Sequence, residues 1–150
     1  MLKKVYLLLK VYLLFALSFL VIACSNKPQP ISYNKDECAH CLMIITDPRF
    51  GSELVTDKGK IYKFDSIECL AEYVSVERGF VVESLWVSDY TKPNSFVDAT
   101  KAYYIVSPKI ESPMSMNIGG FGDKSEMENV FAEVGGQKKN WNEIIEYVNN

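Results

Sequence analysis

The hydrophobic pattern predicts a β-hairpin followed by an amphipathic helix in the first half of the chain. Residues 51–56 and 60–64 read as strands, and Asp57-Lys58-Gly59 provides the turn between them. Asp65 and Glu68 have the spacing of a capping box, which indicates a helix start. The helix itself is predicted from an apolar stripe at spacings of three and four residues, formed by Ile67, Leu70, Ala71 and Val74.

More strands are predicted in the middle of the chain. Residues 81–90 are β-rich, and Lys92-Pro93-Asn94 indicates a turn after them. Residues 95–97 and 102–106 are further strand candidates, and residues 117–121 could pair back on residues 102–106. Short strands that follow one another in this way favour antiparallel pairing.

Two more helices are predicted towards the end of the chain. The first is capped either by Ser125 with Glu128 or by Asp123 with Glu126. Its apolar stripe consists of Met127, Val130, Phe131 and Val134. The second is a short C-terminal helix whose stripe consists of Trp141, Ile144, Ile145 and Val148.

The second half of the chain repeats the plan of the first. The sequence after Phe121 echoes the sequence after Phe64, either by chance or because the chain holds two related units. Each unit would be too small to bury its apolar face alone. The predicted fold class is α+β, with two similar β-β-α(-β) units, mostly antiparallel strands and a short C-terminal helix.

The N-terminus has the pattern of an export signal. Residues 1–23 combine basic residues with an apolar run, and Val21-Ile22-Ala23-Cys24 resembles the cleavage box of bacterial lipoproteins. We therefore expect a signal peptide over residues 1–23, a lipidated Cys24 and a flexible tether over residues 24–35. The alternative is an ordinary signal peptide that ends near a cysteine. The remaining domain would span residues 36–150.

The charge of the processed chain argues against a nucleic-acid partner. The full chain has 16 basic and 19 acidic residues, and the signal would remove Lys3, Lys4 and Lys10. This leaves 13 basic residues against 19 acidic ones, a net charge of −6. An acidic surface repels phosphate backbones, so no nucleic-acid partner is expected. The lipid anchor, by contrast, implies a membrane as a partner.

The candidate chemistry lies in two sulfur-rich segments. Cys38, His40, Cys41 and Met43 fall within six residues, on a predicted loop or short strand. If the strand is extended, Cys41 and Met43 point to the same side. The second segment holds two methionines that lie on no helical stripe, Met114 and Met116.

This donor set favours Cu(I). Thiolate and thioether are soft ligands, and soft ligands select Cu(I), whereas zinc prefers cysteine, histidine and carboxylate. The candidate ligands are Cys38, His40, Cys41, Met43, Met114 and Met116. A site of this kind would be open enough to pass its ion on, which indicates a binding protein and not an enzyme.

The cysteines also allow other interpretations. Cys38 and Cys41 could form a small disulfide, or the active site of a thiol-disulfide oxidoreductase. The second alternative requires a β-strand before Cys38 and a helix starting at it, and no β-rich run precedes this residue. Cys69 could be a ligand, a disulfide partner of Cys38, or inert packing.

The ordered motifs resemble the NosL family. They are the lipoprotein signal, Cys-x-x-Cys-x-Met from Cys38, Phe64-Asp65-x-x-x-Cys69, Asp89-Tyr90-Thr91 and Pro113-Met114. NosL proteins are copper-binding lipoproteins associated with maturation of nitrous oxide reductase, and their fold resembles part of organomercurial lyases.

This resemblance implies specific ligands and a specific role. It carries the Cu(I) ligands over to Cys41, Met43 and Met114, whereas Cys38 and His40 match less constant positions. Relatives often have a glycine after the Pro-Met pair where this chain has Ser115-Met116, so Met116 is either an added ligand or a neutral change. It implies a metallochaperone that supplies copper to nitrous oxide reductase or another exported copper enzyme. Such a protein is expected in the cell envelope, lipid-anchored to the outer membrane and facing the periplasm.

Overall fold

The computed structural model describes residues 27–150. The predicted signal peptide, residues 1–23, and the predicted lipidation site, Cys24, lie outside the described residues. Within residues 27–150 every helix is too short or too polar to cross a lipid bilayer.

Two antiparallel sheets form the framework of the domain. The first contains β1 (Ser52–Thr56), β2 (Ile61–Phe64), β3 (Val82–Asp89) and β4 (Lys92–Asp98) in the order β2-β1-β3-β4. The second contains β5 (Tyr103–Val106), β6 (Ile118–Phe121) and β7 (Gln137–Lys139) in the order β6-β5-β7. All the pairings between these strands are antiparallel, as predicted.

The helices complete two units of the same topology. Helix α1 (Ile67–Val74) joins β2 to β3, and α2 (Lys124–Val134) joins β6 to β7. In each unit the first strand lies between the second and third strands, so both units have the order β-β-α-β. The C-terminal helix α3 (Trp141–Asn149) follows β7. The predicted α+β class and its two similar units are confirmed.

Two local predictions were wrong in detail. The N-cap of α1 is Ser66, whose side chain accepts a hydrogen bond from the Cys69 backbone N–H, and not Asp65. The turn predicted over Lys92-Pro93-Asn94 lies inside β4, because the chain already reverses at Tyr90-Thr91. Of the two caps proposed for α2, the structure has Asp123, which accepts from the backbone N–H groups of Ser125 and Glu126.

Helix α1 is buried on nearly every side because it lies between several elements. It packs against α3, β1, β2 and β6, so the helix needs more than one apolar face. Its buried residues are Ile67, Glu68, Cys69, Leu70, Ala71 and Tyr73. The side of α1 opposite the predicted stripe, which carries Cys69, is therefore interior.

The segment before the first strand is packed onto the domain. The Gln29 backbone N–H donates to Glu53 Oε2 at 2.8 Å, and the Ile31 side chain is buried. The Lys63 ammonium group donates to the Pro30 carbonyl at 2.9 Å. Part of the segment predicted as a tether is therefore held against the domain.

The buried Glu53 makes stability depend on pH. Burial raises the pKa of Glu53 from 4.5 to about 7, and its Oε1 atom has no hydrogen-bond partner. The folded state therefore binds this proton more tightly than the unfolded chain does, and stability falls as pH rises between about 4.5 and 7. We expect a loss of about 2 kcal/mol between pH 5 and pH 8. Urea unfolding at both pH values checks this.

The matched variant is Glu53→Gln, which cannot ionise. It should remove this part of the pH dependence and be more stable than the wild type at pH 8. An equal change between pH 5 and pH 8 in both proteins would show that another group is responsible.

Candidate metal centre

The double-cysteine segment forms a tight turn. The Cys38 backbone N–H donates to the Met43 carbonyl at 2.8 Å, and the Leu42 N–H donates to the Cys38 carbonyl at 3.1 Å. Leu42 has a φ of 64°, in the left-handed region, so Cys41-Leu42-Met43 is not an extended strand. The predicted side-by-side placement of Cys41 and Met43 by strand alternation therefore does not apply. Cys41 is half-buried, whereas Met43 is 44% exposed at the rim.

Helix α1 contributes a third cysteine. Its N-terminus is fixed by Ser66, whose hydroxyl accepts from the Cys69 N–H at 3.2 Å. This cap places Cys69 in the first turn of the helix, and the side chain is fully buried. Cys69 thus faces the interior close to where the double-cysteine turn packs against the helix.

The three thiols converge. The Sγ atoms of Cys38, Cys41 and Cys69 all lie within 4.8 Å of one another, and all three cysteines are free thiols. Two of these residues were predicted site residues, and Cys69 was not among them. The sequence feature that points to Cys69 is its place in the first turn of the predicted helix, close to the helix N-terminus.

The environment of the thiols favours one thiolate. The Cys69 thiol, together with backbone N–H groups that include that of Cys41, lowers the pKa of Cys38 to about 5, although burial opposes this. The pKa of Cys69 is raised because its proton is held by Cys38 and because the side chain is buried. Burial and the neighbouring Cys38 likewise raise the pKa of Cys41. Of the three thiols, Cys38 is therefore the one whose surroundings favour the thiolate.

A buried carboxyl group adds negative character beside the thiols. Burial and the charge of Cys38 raise the pKa of Asp65 to about 6, although a hydrogen bond from the Thr46 backbone N–H opposes this. Asp65 Oδ1 is buried without a hydrogen-bond partner. A cation bound among the sulfurs would offset this concentration of negative groups.

One of the two ring nitrogens of His40 faces away from the thiol cluster. Nε2 contacts the carboxylate of Glu72 on α1, and the ring lies edge-on to Tyr73 with centroids 6.5 Å apart. The His40 nitrogens are not part of the group of atoms that lie within 4.8 Å of one another. A carboxylate on one nitrogen is the usual partner of a metal-binding histidine, and it leaves Nδ1 available.

The methionine segment lies beside the cysteine-bearing helix. Met114 and Met116 are half-buried and pack against the same core as Cys38 and Cys69. The Ser112 hydroxyl donates to Glu68 Oε1, and Glu68 directly precedes Cys69. The structure therefore brings the second sulfur-rich segment to the helix that supplies the third thiol.

The geometry does not favour an oxidoreductase. Cys38 and Cys41 lie on a turn that leads into an isolated bridge between Glu37 and Ile44, and neither begins a helix. A thioredoxin-like cysteine depends on a helix N-terminus for its reactivity. Here the interactions that activate Cys38 come from a turn and a neighbouring thiol.

Together, the fold and the site define a small α+β protein with a buried three-cysteine cluster suited to a soft metal ion. The chain belongs to the NosL family, whose model matches residues 30–148.

The names of two relatives refer to copper. The chain is 28% identical over 143 residues to the copper-binding lipoprotein NosL of Stutzerimonas stutzeri, which covers 85% of this chain and 75% of the relative. It is also similar to the crystal structure of the copper chaperone NosL from Shewanella denitrificans, with 27% identity and a TM-score of 0.68. That match covers 79% of this chain and 96% of the solved one. Neither relative is named as an enzyme, in agreement with the prediction for this chain.

Proposed function

We propose that the protein is a membrane-anchored Cu(I) metallochaperone that supplies copper to nitrous oxide reductase or to another exported copper enzyme. The observation that carries this proposal is the convergence of three cysteine sulfurs within 4.8 Å. Sulfur donors favour Cu(I) over harder cations. The relatives named as a copper-binding lipoprotein and a copper chaperone support the same metal.

The donors fall into a buried part and an accessible part. Cys38 and Cys69 are fully buried, so they would retain the ion, whereas Met43 is 44% exposed and Cys41 is half-buried. Met114 and Met116 lie on the half-buried loop beside α1. A partner protein could reach the ion from the Met43 side and exchange ligands one at a time.

The proposed anchor would keep the domain close to the membrane. Gln29, which is hydrogen-bonded to the domain, lies five positions after Cys24. A fully extended chain of that length spans roughly 17 Å. Lipidation at Cys24 would therefore hold the copper site near the membrane surface, in the cell envelope and, on our proposal, on the periplasmic face of the outer membrane. The relative named as a lipoprotein supports the anchor.

A metal titration tests the proposed function. The detergent-solubilised full-length protein is titrated anaerobically with Cu(I) in competition with a chromogenic chelator. We expect about one tightly held Cu(I) per chain, because one thiol cluster is present in residues 27–150, and no displacement of copper by excess zinc. Absence of competitive binding, or zinc bound in preference to copper, would contradict the proposal.

Transfer to the client is tested separately. The copper-loaded protein is mixed with copper-free nitrous oxide reductase, and the two are separated and assayed for copper. Loss of copper from the loaded protein with gain by the enzyme supports this client. If the loaded protein keeps its copper in this mixture but gives it up to a different exported copper enzyme, that enzyme is the client instead.

A further inference from the structure

One serine, Ser112, makes hydrogen bonds within the loop that carries the two methionines. The Asn117 backbone N–H donates to the Ser112 hydroxyl at 2.8 Å, and the Ser115 N–H donates to the Ser112 carbonyl at 3.0 Å. Both ends of the segment that carries Met114 and Met116 are therefore tied to Ser112. We call residues 112–117 the methionine loop.

The same serine fastens this loop to helix α1. The Ser112 hydroxyl donates its proton to Glu68 Oε1, and both side chains are buried. Glu68 Oε2 is buried and makes no hydrogen bond, so Oε1 makes the connection. Glu68 is the neighbour of Cys69, and this one contact joins the methionine loop to the cysteine-bearing turn of the helix.

The loop needs such a fastening because its backbone is strained. Ser115 and Asn117 have φ values of 62° and 65°, in the left-handed region that residues other than glycine rarely adopt. Such conformations persist only where the surrounding structure holds them. Without the contact to Glu68, the loop would lose a buried hydrogen bond to α1 and be held only by the packing of its methionines on the core.

We propose that Glu68 is a positioning residue for the metal site, acting through Ser112 to hold Met114 where its thioether can join the cysteine sulfurs. This rests on the proposed function, since it requires Cu(I) in the cluster. Glu68 itself binds no metal in this arrangement. Its burial beside a cysteine is explained by the hydrogen bond that it accepts, because a buried carboxyl group without one is costly.

A double-mutant cycle tests the proposal. Ser112→Ala removes the donor, and Met114→Leu removes the thioether with little change in volume. Outer partners of a metal ligand usually contribute 10- to 100-fold to affinity, so Ser112→Ala should weaken Cu(I) binding about 10-fold. In the Met114→Leu background the same change should cost less than about 2-fold, because the ligand that it positions is already gone.

A spectroscopic readout separates positioning from folding. With methionine methyl groups labelled with ¹³C, Cu(I) should shift the Met114 signal in the wild type and shift it less in Ser112→Ala. Glu68→Gln keeps an oxygen that can accept from Ser112 and should restore most of the affinity that Glu68→Ala loses. The matched control is Ser107→Ala, since Ser107 is a buried serine that donates to the Val134 carbonyl, away from α1. It should bind Cu(I) as the wild type does.

The outcomes are distinguishable. Equal losses from Ser112→Ala in both backgrounds, or a Met114 signal shifted as far in Ser112→Ala as in the wild type, would overturn the positioning role and leave the chaperone function intact. Unchanged affinity in Met114→Leu would remove Met114 from the site, and the positioning role with it. Failure of the wild-type protein to bind Cu(I) would overturn the proposed function itself.

Discussion

Cys69→Ser should lower the affinity for Cu(I) by more than about 100-fold. Cys69 supplies one of three converging sulfurs, and serine keeps the size and the hydrogen-bonding capacity of the side chain while replacing sulfur with a hard oxygen donor. Loss of an outer partner costs 10- to 100-fold in metal affinity, so loss of a direct ligand should exceed that range. Anaerobic competition with a chromogenic Cu(I) chelator measures the change.

The companion variants show whether the whole cluster acts as one site. Cys41→Ser should have a comparable effect, and Cys41→Ala combined with Met43→Ala should abolish tight binding. Met127→Leu is the matched control, because Met127 is a buried sulfur residue on α2 that packs in the other core cluster; it should bind copper normally. Wild-type affinity in Cys69→Ser would show that Cys69 only packs and that the ion is held elsewhere.

The sequence left the role of Cys69 open between ligand, disulfide partner and packing, because a helical stripe reports only one buried face. The sequence places it opposite Ile67, Leu70, Ala71 and Val74, on the side that would face solvent in a two-layer packing. Helix α1 instead packs also against α3, which lies some 70 residues further along the chain. Contacts between elements so distant in sequence leave no local pattern, so the role of Cys69 required the structure.

For the double-cysteine segment, the chemistry could be predicted from the sequence but the geometry could not. Its residue types alone indicated soft-metal chemistry, and Cys38 and Cys41 do meet in the cluster. Its geometry was not predictable, because Leu42 adopts a left-handed φ that the sequence gives no reason to expect. The ligand chemistry of a short loop can thus be predicted while the directions of its side chains cannot.

The strands were predicted well where the pattern is local. The hairpin of β1 and β2 and the pairing of β6 on β5 follow from alternation and turn residues. The turn predicted at Lys92-Pro93-Asn94 lies instead inside β4, at an irregularity where the pairing with β3 shifts register and Asn94 has a left-handed φ of 67°. Proline is tolerated at such an irregularity of an edge strand.

Gly136→Ala should destabilise the fold by about 3 kcal/mol or more. Gly136 has a φ of 100°, and an added Cβ would lie 2.2 Å from the carbonyl oxygen of Val106 and 2.8 Å from the Ser107 Cβ. The oxygen belongs to β5, the central strand of its sheet, which pairs with β7 from Val106 to Gln137. It cannot move without breaking this pairing. Backbone strain alone costs 1–3 kcal/mol, and the clash adds to it. Thermal unfolding should show a melting temperature lower by roughly 10 °C.

The neighbouring glycine isolates the effect of the clash. Gly135 has a φ of 65°, and an added Cβ there would meet nothing within 4 Å. Gly135→Ala therefore incurs only backbone strain, about 1–3 kcal/mol, because a φ of 65° with a ψ of −152° is nearly confined to glycine. The difference between the two variants measures how firmly β7 closes the second β-β-α-β unit against β5. Equal losses in both variants would mean that the backbone between α2 and β7 shifts to accommodate a side chain, and that β7 is not held against Val106 as the structure has it.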